Sequence, residues 1–389
     1  MLKVFLNKNE EIEKKEGYPW IFNNEVNHFE GDIESGKVCK VYTYDNKFLA
    51  YGFFNSASKI MVRILSLDEN DVIDYNFFRE KIKNAIEFRE SLNLGDTNCM
   101  RLVFSEADML PGLIVDKYGD YLCISISCLG MSNIKQDIIS ILVELTNTKG
   151  IYERSDSQSL SKEGMEEHTG IIYGSFDPKV LVKENGIKFY VDMENGQKTG
   201  YFLDQKLNRD NIKTYCKNKD VLDLFSNVGG FALNAAKNGA KSVTALDISS
   251  LACSEIENNA KLNGFNLNVI CDDTFNFLRD PNNYNKYDLI VLDPPAFTKS
   301  KDTVKKAYKG YKEINLQAMK LLRKNGILMT FSCSQHMTKS LFLEMVLDAA
   351  KDSKRRVSII DERIQSPDHP SLVSTDVDLY LKSLTLRVE

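Results

Sequence analysis

The sequence predicts an α/β protein whose carboxyl-terminal half is a doubly wound parallel sheet preceded by two smaller units. From residue 220 onward, short apolar segments alternate with helical ones, as in repeated β–α units that form a parallel sheet with helices on both faces. Residues 1–72 instead contain short alternating segments between turn residues, which is typical of a β-rich domain. A chain of 389 residues is long enough for two or three domains.

The first two units differ in their predicted elements. Within residues 1–72, the segment KVCKVYTYDNKFLAYGFF alternates and is interrupted by Asp-Asn, which indicates a β-hairpin. Residues 73–186 are predicted to form an α+β domain. A helical apolar stripe over 74–94 is followed there by two strands, an amphipathic helix over 133–145 and the segment IYERSD. Residues 187–389 are the third predicted domain.

The third domain carries the repeated β–α pattern. Two further strands, VSIIDERI and LYLKSLTLRV, close it. The predicted strands before them are DVLDLF, SVTALDI, LNVICDD, YDLIVLDPP and GILMTFSCS, with helices near 230–238, 250–263, 304–323 and 339–350.

Composition narrows the classes of function. The net charge of −5 argues against a broad nucleic-acid-binding surface, so any RNA contact requires a local basic surface. No apolar run is long enough for a membrane helix, and the first residues do not resemble a signal peptide. The eight cysteines form no CxxC pair and the chain has only four histidines. We therefore expect a reduced, cytoplasmic protein without a metal site.

Acidic residues at successive strand ends predict the cofactor. Asp223, Asp247, Asp273 and Asp293 each stand at the end of a predicted strand, where ligands of a doubly wound sheet bind. Asp247 can accept hydrogen bonds from ribose hydroxyls, and Asp273 from an adenine amine. Asp223 would repel a phosphate but suits an ammonium group. A nucleoside with a zwitterionic tail and no phosphate is S-adenosylmethionine.

A cysteine and an aspartate predict the reaction. Cys333 ends the fifth strand at the same sheet edge as Asp293, which is followed by two prolines that fix the backbone. Cysteine is nucleophilic once deprotonated, although a cysteine in such a strand is also a common core residue. Beside a methyl donor, a thiolate that adds to C6 of cytosine activates C5 for methylation. Asp293 can bond or protonate N3 during this addition.

The chain resembles the RlmI-type methyltransferases, the family that forms 5-methylcytosine in large-subunit ribosomal RNA. The resemblance covers nearly the whole chain and implies an N-terminal PUA-like RNA-binding domain, a central α+β domain and a Rossmann-like class I methyltransferase domain. Its substrate would be 23S ribosomal RNA. The motifs that carry it are GYPWIF, RLVFSEADMLPGLIVDKYG, IYERSD, KEGME, QKTGYFLDQKLNR, DLFSNVGGF, LDPPAF, GYKEIN and FSCS.

The resemblance also implies roles for individual residues. Cys333 would be the nucleophile and Asp293 a second catalytic residue. Related RNA methyltransferases carry another cysteine near the DPP position, whereas Ala296 follows Asp293-Pro294-Pro295 here, so product release depends on another group. The sequence does not identify the base that removes the C5 proton. The residues expected to bind the cofactor are Tyr201, Phe202, Asp204, Gln205, Arg209, Asp223, Phe225, Ser226, Asn227, Gly229, Asp247, Ile248, Asp273, Asp293 and Pro294.

The segment 298–312, which follows the DPP motif, is the candidate RNA-binding surface. It contains six lysines and one acid, a composition that fits either phosphate contacts or a solvated helix face. We expect RNA binding to weaken when these lysines are neutralised. The residues predicted to contact RNA are Arg154, Lys299, Lys305, Lys309 and Tyr311.

Two other classes of function stay open at this stage. A guanine-N methyltransferase of ribosomal RNA would share the sheet and the DPP motif without needing Cys333. A noncatalytic RNA-binding assembly factor would retain only the pocket. A nicotinamide-dependent oxidoreductase is disfavoured, because the GxGxxG fingerprint is absent. The sequence does not decide between free RNA and a ribosomal particle, and it leaves the oligomeric state open, a homodimer included.

Overall fold

A computed structural model describes residues 1–156, 160–298, 300–375 and 379–389. The chain forms two compact units. The first consists of Met1–Val182, Val191–Leu203 and Pro367–Asp378, and the second of Lys183–Tyr190, Asp204–Ser366 and Leu379–Glu389. Within the described residues, no helix combines the length and apolar character needed to cross a membrane.

The first unit begins with a six-stranded sheet in the order β2-β6-β5-β4-β1-β3. The predicted hairpin joins β4 and β5, and Asn46 adopts the left-handed conformation in its turn, with φ of 61°. The elements are β1 (Lys3–Leu6), α1 (Glu11–Lys15), β2 (Trp20–Phe22), β3 (Val26–Glu30), β4 (Val38–Tyr42), β5 (Phe48–Phe54) and β6 (Ile60–Ser66).

A second sheet of the same unit has five strands in the order β11-β10-β9-β8-β7. The predicted helix over 74–94 begins one residue later, because Asp74 caps it by accepting a hydrogen bond from the Phe77 amide. The elements are α2 (Tyr75–Ser91), β7 (Cys99–Phe104), β8 (Leu113–Tyr118), β9 (Tyr121–Ile126), α3 (Leu129–Asn133), α4 (Lys135–Thr146), β10 (Gly150–Ser155) and β11 (His168–Gly174).

A buried polar network connects the two sheets of the first unit. Glu106 accepts hydrogen bonds from the Trp20 indole and from Arg63, both at 2.9 Å. Arg63 also donates to Glu163 at 2.9 Å. Trp20 therefore has its polar group satisfied inside the unit, in keeping with a packing role. The three predicted domains stay a prediction, since the first unit holds the sheets expected of the first two.

The second unit is built around a seven-stranded sheet in the order β16-β15-β14-β17-β18-β20-β19. A two-stranded hairpin, β12 (Lys179–Glu184) and β13 (Ile187–Asp192), precedes the sheet in the chain, and only its residues Lys183–Tyr190 belong to the second unit. Its further elements are α5 (Lys206–Asn211), β14 (Asp220–Leu224), α6 (Gly230–Lys237), β15 (Ser242–Asp247), α7 (Ser250–Asn263), β16 (Asn268–Cys271), α8 (Thr274–Arg279), β17 (Tyr287–Leu292), α9 (Val304–Leu321), β18 (Leu322–Ser332), α10 (Lys339–Ser353), β19 (Val357–Arg363) and β20 (Lys382–Val388).

The predicted alternation of strands and helices is confirmed, with one difference in direction. Strands β14 to β18 are parallel, whereas β20 pairs antiparallel with both β18 and β19. Successive residues of a strand face opposite sides of the sheet, and helices cover both sides. Leu222 and Leu224 pack with α9 and α10 on one face, and Val221 packs with α6 on the other. The strand order reverses between β14 and β17, which is where such sheets bind ligands.

Candidate active site

The ends of β15 to β18 bring Asp247, Asp273, Asp293 and Cys333 to one edge of the sheet. The register aligns Leu224 with both Leu246 and Leu292, and Leu292 with Thr330. Asp247 and Asp293 therefore come one residue beyond this line, and Cys333 comes three residues beyond it on the strand next to that of Asp293. The juxtaposition expected from the sequence is present in the second unit.

The loop after β14 has an unusual backbone. Phe225, Asn227 and Gly229 have positive φ angles of 61°, 53° and 87°. Such a conformation is uncommon outside glycine and persists where the surrounding structure demands it. At Gly229 a Cβ atom would stand 3.3 Å from Ile256, so glycine is also needed for space. The loop thus turns tightly between the strand and α6.

Asp247 and its neighbours offer the groups that a nucleoside requires. Asp247 is half-buried, and its carboxylate accepts hydrogen bonds from the Asn227 amide at 2.9 Å and the Ser249 amide at 3.0 Å. The next residue, Ile248, is 67% exposed, which is high for an apolar side chain. Asp273 is half-buried and caps α8 by accepting from the Asn276 amide. Carboxylate oxygens and an open apolar surface therefore stand side by side.

Asp223 is buried within the sheet rather than open at its edge. It is 1% exposed, and its carboxylate accepts from the Ala232 amide at 3.0 Å, which ties β14 to α6. Ser226 is also buried and donates to the Asp223 carbonyl. Burial raises the pKa of Asp223 to about 7, the charges of Asp293 and Asp247 add to the rise, and the Ala232 bond opposes it.

The raised pKa of Asp223 makes stability depend on pH. An unfolded aspartate has a pKa of about 3.9, so between about pH 4 and pH 7 the native state binds more protons than the unfolded state. The free energy of unfolding should fall as the pH rises through this window, by up to about 4 kcal/mol from this group. Urea unfolding at several pH values should show a shallower fall in Asp223→Asn. Exposed Asp302→Asn is the control, and parallel profiles for Asp223→Asn and the wild type would contradict this expectation.

Asp293 is positioned by two successive side-chain hydrogen bonds from the segment 204–211, here called the amide relay. Gln205 donates to the Asp293 carboxylate at 3.0 Å, and Asn208 donates to the Gln205 amide oxygen at 2.7 Å. Asp204, from the same segment, accepts from the Tyr380 hydroxyl at 2.6 Å. Pro294 is buried directly after Asp293. The predicted residues Asp204 and Gln205 are thus assembled around the ends of β17 and β20.

Other residues predicted to bind the cofactor make different contacts. Arg209 and Glu184 form a buried bidentate ion pair, with N···O distances of 2.6 and 2.9 Å. This pair ties α5 to β12, so a structural role accounts for Arg209. Tyr201 and Phe202 belong to the first unit, where Tyr201 is buried and its carbonyl accepts from the Tyr118 hydroxyl.

Cys333 follows β18 directly and is half-buried. The next residue, Ser334, is bonded to the Tyr311 hydroxyl at 3.0 Å. Tyr311 is fully buried against Phe297 and Phe342. The predicted contact of Tyr311 with RNA is therefore corrected, because its ring is fully buried. Tyr311 instead supports the loop that carries Cys333.

Lys382 is a residue that the sequence analysis missed. It lies opposite Ser332 across the β18–β20 pair, and its ammonium donates to the carbonyls of Ser334 at 2.7 Å and Tyr380 at 2.6 Å. Burial lowers the pKa of Lys382 to about 8, while the charge of Cys333 raises it. The only sequence signal was the single lysine within the predicted strand LYLKSLTLRV.

The lysines after the DPP motif are exposed. Lys301, Lys305, Lys306 and Lys309 are all on the surface at the start of α9, and Lys299 lies outside the described residues. Lys312 is paired with Asp352 at 2.8 Å. Arg154, in the first unit, bonds to Asp156 and to the Met193 and Gly196 carbonyls, so local contacts occupy it. Lys305 and Lys309 are thus the predicted RNA-contact residues that the structure leaves on the surface.

The edge formed by β14 and β15 fits S-adenosylmethionine. Asp247 presents a carboxylate suited to ribose hydroxyls, and Ile248 presents an open apolar surface for a flat base. Among the described residues, no group of three or more metal-ligating side chains could hold a metal ion. The strand order and this edge define a class I S-adenosylmethionine-dependent methyltransferase.

Comparison with known proteins agrees with this class. Residues 4–67 match the model of a PUA-like domain, and residues 171–387 match that of an S-adenosylmethionine-dependent methyltransferase. The chain belongs to the family of ribosomal RNA large subunit methyltransferase I. The protein of that name from Aliivibrio fischeri is 38% identical over 100% of this chain and 99% of its own length, and that from Aeromonas salmonicida is 39% identical over 99% and 98%.

The fold is also similar to a solved structure. A methyltransferase complexed with SAH superimposes with a TM-score of 0.85 at 22% identity, and the match covers 100% of both chains. The expected fold class, family, cofactor and PUA-like domain are thereby confirmed.

Proposed function

We propose that this protein methylates C5 of a cytosine in 23S ribosomal RNA, with Cys333 as the covalent nucleophile. The observation that carries the proposal is the position of Cys333 directly after β18, the strand that pairs with β17, which Asp293 directly follows. The substrate follows the names of the relatives, which are large-subunit ribosomal RNA methyltransferases along the whole length of the chain.

The chemistry assigns separate tasks to the residues of the site. C5 of cytosine is a poor nucleophile, and addition of the Cys333 thiolate to C6 converts the ring into an enamine whose C5 is nucleophilic. S-adenosylmethionine, which Asp247, Ile248 and the turn at Gly229 would hold, would supply an electrophilic methyl group. C5 would form a bond to that carbon as the carbon's bond to the sulfonium sulfur breaks, and S-adenosylhomocysteine would be the leaving group. Loss of the C5 proton then restores the double bond and breaks the C6–S bond, which returns the thiolate.

Asp293 stabilises the ring while the thiolate adds. Its carboxyl group bonds or protonates N3 of the cytosine, where negative charge develops. Gln205 and Asn208 fix its orientation through the relay described above. The target base must be unpaired or flipped, because C6 is not reachable within a stacked helix.

An electrostatic surface supports an RNA substrate despite the negative net charge. Lys301, Lys305, Lys306 and Lys309 are exposed at the start of α9, within 20 residues of Asp293 in the sequence. Exposed lysines neutralise phosphates without reading sequence, and the resulting binding is sensitive to salt. Lys305 and Lys309 are the residues that we assign to this contact.

Covalent trapping tests the proposed function. 23S ribosomal RNA transcribed with 5-fluorocytidine has fluorine where the C5 proton would be removed, so a Cys333–C6 adduct that has been methylated cannot break down. With S-adenosylmethionine present, we expect a complex that resists denaturing electrophoresis, and peptide mass spectrometry should place the nucleotide on Cys333. An unmodified transcript should give 5-methylcytidine and no persistent complex. A methylated guanosine as the product of the unmodified transcript would overturn the proposal and favour the guanine-N alternative.

A further inference from the structure

The end of β20 places a lysine beside the proposed nucleophile. Lys382 is the first residue of β20, and the antiparallel register sets it opposite Ser332, the residue before Cys333. Its Nζ donates two hydrogen bonds, to the Ser334 carbonyl at 2.7 Å and to the Tyr380 carbonyl at 2.6 Å. Two backbone bonds therefore hold the ammonium next to the loop that carries Cys333.

The surroundings of Lys382 favour a pairing with a negative group. The side chain is half-buried, and the two carbonyls that it contacts are neutral acceptors. Desolvation of an ammonium is costly unless an opposite charge lies nearby. Burial lowers the pKa of Lys382 to about 8, and Cys333 is the group whose charge raises it.

The other titratable groups near this end of β20 have partners or positions of their own. Asp204 accepts from Tyr380, Tyr311 bonds to Ser334, and Asp361 pairs with Arg363 at 2.7 Å. Glu362 pairs with Lys339 at 2.6 Å, and His336 lies two residues beyond Ser334. Cys333 is the group whose negative charge acts on Lys382, and it directly follows Ser332, the residue opposite Lys382.

We propose that Lys382 is the positioning residue whose positive charge holds Cys333 as a thiolate before the RNA base arrives. The inference rests on the proposed function, since it assigns the activation of that nucleophile. The proton leaves Cys333 Sγ for solvent water, so one S–H bond breaks and one O–H bond forms, while Lys382 keeps its three N–H bonds and its positive charge offsets that of the thiolate. When the C6–S bond later breaks, the thiolate returns beside the same ammonium.

Thiol alkylation tests this inference without RNA or cofactor. The full-length protein is treated with iodoacetamide between pH 6 and pH 10, and the rate at Cys333 is measured by peptide mass spectrometry. Exposed Cys271 in the same digest is the internal reference. We expect the midpoint for Cys333 to lie below that of an ordinary thiol, about pH 8.5. In Lys382→Gln the midpoint should rise by at least about one pH unit, and the rate at pH 7 should fall about tenfold.

Two comparisons make the outcome decisive. Lys382→Arg keeps the charge and should retain the low midpoint, which a purely structural role of the lysine would not explain. If Lys382→Gln folds, an alkylation midpoint for Cys333 equal to that in the wild type would overturn the inference. If Lys382→Gln does not fold, a wild-type midpoint for Cys333 at or above that of Cys271 would overturn it. Guanosine methylation by the wild type would instead contradict the proposed function, whereas the effect of Lys382 on the reactivity of Cys333 would be unaffected.

Discussion

Replacing Cys333 by alanine should abolish the formation of 5-methylcytosine. Without the thiolate, no covalent bond to C6 activates C5, and we expect the rate of methyl transfer to fall by more than about 10³-fold. Mass-spectrometric mapping of 23S ribosomal RNA from a strain that lacks the gene provides the measurement. Complementation with the wild type should restore one methylcytosine, and complementation with Cys333→Ala should not.

The matched control for this change is Cys271→Ser. Cys271 is the exposed cysteine among the described residues, so its replacement removes a reactive thiol without altering the end of β18. This variant should restore methylation to the wild-type level. Binding of S-adenosylmethionine to Cys333→Ala, measured by calorimetry, should be unchanged. An RNA that stays methylated in the Cys333→Ala strain would rule out the thiolate mechanism.

Asp293→Asn should lower kcat by about 10²- to 10⁴-fold, the usual contribution of a positioned acid or base. The asparagine keeps an oxygen that can accept the hydrogen bond from Gln205, so the relay through Asn208 is preserved. It cannot transfer a proton to N3, nor carry the charge of a carboxylate. Steady-state kinetics should therefore show a larger change in kcat than in KM for S-adenosylmethionine.

Asp302→Asn is the control for Asp293→Asn. Asp302 is an exposed acid in the turn before α9, nine residues beyond Asp293, and makes the same change of charge. We expect its kinetics to match those of the wild type. If Asp293→Asn raised KM alone and left kcat unchanged, Asp293 would serve in cofactor binding and would have no part in the chemical step.

The repeated β–α pattern was sufficient to predict most of the second unit. Helix α7 begins and ends at the predicted residues 250–263, because Ser249 caps it and Gly264 ends it in the left-handed conformation. The strand ends that carry Asp247, Asp293 and Cys333 were also predictable, since parallel strands place their carboxyl ends at one edge. These features depend on residues close together in the chain.

The features that sequence reasoning missed depend on distant residues. Lys382 approaches Cys333 only because β20 pairs antiparallel with β18, a register set by strands about 50 residues apart. Likewise, the hydroxyl of Tyr311 meets Ser334, and the guanidinium of Arg209 meets Glu184. A basic segment or a family motif gives no sign of such burial. Tyr311 was therefore predicted to lie on the surface, although it is a core residue.

The position of β20 also sets the order in which the sheet can be completed during synthesis. It follows β19 in the chain yet lies between β18 and β19, so β19 has no strand to join until residues 382–388 have been made. Until then the backbone groups of β18 form an open edge, which other chains could pair with. The same event closes that edge and delivers the ammonium to Cys333. A nascent chain therefore acquires its reactive thiolate only after its sheet is protected.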